Sequence, residues 1–315
     1  MTRLTIVAAV LALAVPATPR AERAPHAAAL ALTNGQRHHY TIGARVRPLL
    51  FWVGKDDVGD AVITRKREST AASYALLIGT DPERTPRNIN RWGYLAEDVR
   101  DGEATIVGLM TESNEESVDQ AEKNLRAEGD RTFNVIRGSV ADGEARSVVT
   151  QVAAPGTLTL RQVDTVLELA AEKGVEGKPR VVRLPSGGRP GFLSALADLL
   201  HDQAANVRST GKVRTTDPTT FVYHGKLYQL RATHGRLIGT ARVGEHTYDH
   251  LIGSQFQIKN VGSGEVSDFS MTYAADGPFA ELPISVTYQP RWWVEIQLTL
   301  DDTRPGPLPP VETTR

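Results

Sequence analysis

The chain has 315 residues, 40% hydrophobic and 23% charged, which is enough apolar material for a substantial core and excludes an intrinsically disordered protein. A formal net charge of -1 gives no whole-chain attraction to nucleic acid or anionic lipid, so no nucleic-acid partner is expected. The lack of cysteine excludes thiol catalysis, disulfides, Cys-zinc sites and an acylated lipoprotein cysteine, leaving the fold to its core alone.

Arg3, the apolar run Leu4 to Val15 and the small-residue exit Val15-Pro16-Ala17 read as a secretory signal peptide over 1–17, with Ala21 and Ala24 as weaker cleavage positions. The run falls short of the roughly 20 residues that a membrane-spanning helix needs. No other stretch comes near that length, so the expected address is periplasmic or secreted, with no transmembrane segment after signal removal. Residues 18–45, with Pro25 and Asn34-Gly35, read as a linker, and a single α+β domain is expected over 46–300 with room for a sub-boundary near 208–218.

Within that domain the spacing predicts strands at Val46–Val53, Ala61–Arg67 and Tyr74–Gly79, with a turn at Gly54-Lys55-Asp56-Asp57. Strands at Trp92–Val99 and Ala104–Met110 follow, joined by Asp101-Gly102. Ser113 with Glu116 forms a capping box for a helix to Glu128, ended by Gly129. A hairpin over Thr132–Val140 and Ala145–Val152 closes at Asp142-Gly143. A second capping box, Thr159 to Gln162, opens a helix to Lys173, and a third helix is expected from Gly191 to Val207 after a short strand at Arg180–Leu184. From Thr219 the chain reads as seven strands: 219–223, 227–233, 237–243, 250–260, 266–273, 283–288 and 292–300. The last alternates strictly, with Trp292 facing one way and Trp293 the other. The tail 301–315, with Pro305, Pro307, Pro309 and Pro310, reads as disordered.

No catalytic motif stands out. His246 and His250 sit in a strand-like context, where four residues separate the rings by about 13 Å, too far to share one ion; His38-His39 falls in the linker. Neither pair is assigned a metal, and no cofactor is expected. Ser186-Gly187-Gly188-Arg189-Pro190-Gly191 joins a strand to a helix, where backbone amides can hold an anion, but it lacks the Walker and dinucleotide patterns and reads as a flexible loop. No Gly-x-Ser-x-Gly elbow or Ser-x-x-Lys motif occurs. Glu97-Asp98 and Asp301-Asp302 read as solvated strand ends. The densest set of recognition-type side chains is Asn88-Ile89-Asn90-Arg91-Trp92-Gly93-Tyr94; Arg91, Trp92 and Tyr94, with outward Trp293, form the candidate ligand-binding set, although alternation also allows Trp92 and Tyr94 to be core.

The run Phe51-Trp52-Val53-Gly54 followed by Val58-Gly59-Asp60-Ala61, with Leu282-Pro283-Ile284 and the long final strand, resembles uncharacterised β-rich bacterial periplasmic proteins. That resemblance implies an incomplete barrel or curved sheet and brings no catalytic residue. The expected fold is α+β: an extensive antiparallel, curved sheet or partial β-barrel with about three helices from the middle of the chain. The expected role is that of an exported, non-enzymatic envelope protein binding an apolar or amphipathic small molecule or an envelope partner. A secreted glycan-directed hydrolase using carboxylates and a purely structural domain are the alternatives.

Overall fold

A computed structural model describes residues 35–46, 53–85, 88–111, 129–243, 246–291 and 294–301. The first half supplies β1 (Gln36–Val46), β2 (Val53–Arg67), β3 (Ala71–Thr80), β4 (Trp92–Arg100), β5 (Glu103–Thr111), β6 (Asp130–Ala141), β7 (Glu144–Pro155), helix α1 (Val163–Lys173), β8 (Val175–Glu176) and β9 (Arg180–Arg183). The second supplies helix α2 (Phe192–Thr210), β10 (Thr219–Tyr223), β11 (Lys226–Val243), β12 (His246–Asn260), β13 (Val266–Ala274), β14 (Pro283–Arg291) and β15 (Val294–Asp301). Among the described residues one 15-stranded sheet dominates, in the order β10-β11-β12-β13-β14-β15-β1-β2-β3-β4-β5-β6-β7-β8, with β9 beside β7. Its ladders are antiparallel between chain neighbours, so tight turns suffice for most connections. The described residues hold two α-helices; the third helix expected, over Ser113–Glu128, lies outside the described residues, as do the signal segment 1–17 and the tail from 302.

Pairing of β1 with β15 joins the two halves, with Tyr40 opposite Leu300 and Ile42 opposite Leu298. This corrects the expected linker over 18–45, which gives way to strand at Gln36. Tyr40 and Ile42 alternate with polar neighbours and are buried in the core with Leu298 and Leu300. The turn expected at 54–57 lies inside β2: Asp57 takes its positive φ of 58° at a register shift opposite Ile42 and Ala44, so turn-forming chemistry makes a bulge there.

Two helices cover opposite faces of β4. Trp92, Tyr94 and Ala96 face α1 and pack with Val163, Val166 and Ala170, while Leu95 packs with Ala195, Leu199 and Leu200 of α2. Such a strand reads as a continuous buried run from 92 to 97. Glu97, expected to be a solvated strand end, is instead buried: its two carboxylate oxygens accept the amides of Leu193 (2.7 Å) and Ser194 (2.8 Å) at the start of α2. The helix's unpaired N–H groups and dipole explain that placement.

The sheet curls around α2, which touches β3 and β4 on one side and β10 and β11 on the other. Residues of β4–β7 and β10–β13 therefore share one core with the helix. The Tyr223 hydroxyl reaches Met110 Sδ at 3.1 Å across the seam, and the Arg189 amide donates to Thr220 O at 2.8 Å. The sheet nevertheless does not close by hydrogen bonding. No helix among the described residues is long and apolar enough to cross a membrane.

Candidate functional site

A groove of about 490 Å³ lies on the outer face of β11–β14. On β13 and β14, Phe269, Met271, Tyr273, Ile284 and Tyr288 are buried, so the alternate residues Ser270, Thr272, Ser285 and Thr287 point outward. Register places Ser270 beside Thr287 and Gln255, and Thr272 beside Ser285 and Gly253. The hydroxyl and amide face continues onto β15, where Thr299 lies opposite Ser285 and Gln297 opposite Thr287.

A bulge in β11 supplies the cationic wall. Up to Ala232 the even-numbered residues Tyr228, Leu230 and Ala232 are buried, and Ala232 pairs with buried Phe256. Thr233 is then an extra residue, since His234 pairs with Gln255 rather than Ser254. One added residue moves the following side chains to the opposite face. His234 and Arg236 consequently line the groove, and Ile238 lies over Gly253. Arg236 is exposed, and its guanidinium makes no hydrogen bond or ion pair among the described residues. Beside the groove, Arg231 bonds Gln257 Oε1, and Gln257 donates to Asp268 at 3.1 Å. That neighbouring guanidinium is engaged, whereas Arg236 is presented.

This lining combines short hydroxyls, one amide, an imidazole and a guanidinium, with no carboxylate from the described residues. Hydroxyls and amides both donate and accept, and a guanidinium fork fits a carboxylate or phosphate bidentately. The groove's volume lies in the usual range for small-ligand sites.

The residues singled out from the sequence lie elsewhere. Trp92 is buried against Phe133 with ring centroids 5.5 Å apart, and its indole N–H donates to Leu158 O at 2.8 Å. Tyr94 is buried, and burial raises its phenol pKa well above the usual range. Arg91 is half-buried, its backbone paired with Thr80. Asn90 donates to the carbonyls of Gly156 and Leu158, so this segment clasps the approach to α1. Trp293 lies outside the described residues. His250 is exposed and bonds Asp276 at 2.8 Å, which raises its pKa, while His38 packs on Phe279 in β1. At the Gly-rich loop before α2 the anion position is filled by the chain's own Glu97, whose carboxyl packs so closely on Gly191 that it leaves no room for a Cβ there.

Compared with known protein families, curated proteins and solved structures, the chain matches none.

Proposed function

We propose that this is an exported, non-enzymatic binding protein of the cell envelope, an incomplete barrel whose outer β11–β14 groove seats a polar, acidic ligand such as a uronic-acid oligosaccharide. The presentation of Arg236 over a hydroxyl surface carries this reading: the guanidinium pairs with the ligand's carboxylate while Ser270, Thr272, Ser285 and Thr287 exchange hydrogen bonds with its hydroxyls. An apolar ligand inside the sheet has less support, because α2 fills the concave side with Ala195, Leu199 and Leu200. The hydrolase reading requires two carboxylates across a cleft. The described groove offers a guanidinium, an imidazole and hydroxyls, and no carboxylate from the described residues. Equilibrium titration with an oligouronate and with a neutral oligosaccharide of equal length tests the proposal. The acidic chain should bind more tightly, and Arg236→Ala should weaken it by roughly tenfold or more, the loss of one charge-assisted hydrogen bond. Equal affinity for both chains, or unchanged affinity in the variant, would contradict it.

A further inference from the structure

A second site lies at the seam where the curled sheet meets itself. There the β10–β11 turn presses against β7 and β9: a Cβ on Gly225 would lie 2.5 Å from the Cβ of Arg180, so only glycine permits this approach. The turn carries His224, with φ of 51°, into the interface. His224 and Ser147 are 6% and 5% exposed, and their Nε2 and Oγ atoms are buried without a hydrogen-bond partner among the described residues. Both line one cavity with Val149, Gly177, Lys178 and Arg180, whose volume of about 10 Å³ admits a single water-sized particle.

We propose that this cavity binds one halide-sized anion, chloride, which accepts hydrogen bonds from the Ser147 hydroxyl and the His224 Nε2–H and lies beside Lys178 and Arg180. Two buried orphan groups that can each donate, the Ser147 hydroxyl and the Nε2–H tautomer of His224, can share one acceptor, and an unsatisfied buried polar atom is costly. The charged groups facing His224 are Arg180 from β9 and Lys226 from β11, and no carboxylate lines the cavity among the described residues, so an anion gains Coulomb energy that water does not. The cavity's size excludes sulfate and phosphate. Bound there, the ion clasps the turn of the second half to β7 and β9 of the first.

The test replaces gluconate by chloride at constant ionic strength while following thermal unfolding. The midpoint should rise saturably by about 2 °C or more, as expected for a ligand that binds only the folded chain. Ser147→Ala, and His224→Asn, whose asparagine tolerates the positive φ, should each abolish the chloride-dependent rise. Crystals grown in bromide should show an anomalous peak between Ser147 and His224. A chloride-independent midpoint in the native protein, or a cavity holding water alone in bromide crystals, would overturn the proposal.

Discussion

Glu97 shows how one side chain ties the sheet to a helix. Burial raises its carboxyl pKa, opposed by the Leu193 and Ser194 amides that both oxygens accept. Glu97→Gln turns one acceptor into a donor facing an N–H, and should cost about 1–3 kcal/mol in chemical denaturation. Trp92→Ala removes an indole packed on Phe133 and orphans nothing charged, so its expected cost of about 3–5 kcal/mol is a cavity effect measurable the same way. His224 sets an acid limit. Burial first, then Arg180 and Lys226, lowers its pKa from 6.5 to about 4. The folded state thus prefers the neutral ring: stability is full above pH 6.5 and declines as pH falls toward 4, where the unfolded chain binds the extra proton. In chloride-free buffer this loss should approach about 3 kcal/mol at pH 4, and His224→Asn should remove that part of the pH dependence. An unchanged pH slope in the variant would refute the assignment.

Strand boundaries were legible where alternation and turn residues agree. The Trp92–Val99, Thr132–Val140 and Ala145–Val152 segments all fall within observed strands, the helix expected over Gly191–Val207 matches α2, and the Thr159–Gln162 box opens a 3-10 turn, Leu160–Gln162, that leads into α1. Two features were hidden for a shared reason: a residue's turn chemistry does not say whether it ends a strand or bulges it. Asp57 and His234-Gly235 signalled turns, yet β2 and β11 run through both positions. The Ser270-Met-Thr272 and Ser285-Val-Thr287 alternation was readable as an outward hydroxyl face. Its cationic wall was not, because the sequence gives no sign that Thr233 inverts β11. Deleting Thr233 should remove the bulge while leaving His234 opposite Gln255 and Arg236 opposite Gly253, so both side chains should stay on the groove face and oligouronate binding should be retained. Lost binding in a deletion variant that still folds would mean that the bulge itself, and not the pairing with β12, positions these side chains.

At the scale of the whole molecule, curvature decides where a ligand is seated. A sheet of this width wraps α2 and presents its polar outer face, which on β11–β13 carries the Arg231, Gln257 and Asp268 ladder beside the groove. The sheet-rich class and antiparallel order followed from the periodicity of short strands, whereas the joining of the two halves depended on β1, whose polar alternate residues disguised it as a linker. The recognition-type residues near Trp92 are a parallel case: amides and aromatics that serve a ligand on a surface serve packing when both faces of a strand are covered.

Backbone amide NMR during oligouronate titration tests the central claim most directly. Saturable shift changes should concentrate at His234, Arg236, Gln255, Ser270, Thr272, Ser285 and Thr287, all of which line the groove. Core residues of α2, such as Leu199, should stay unchanged. Shifts centred on α2 and the interior side chains, or none at saturating ligand, would contradict the account.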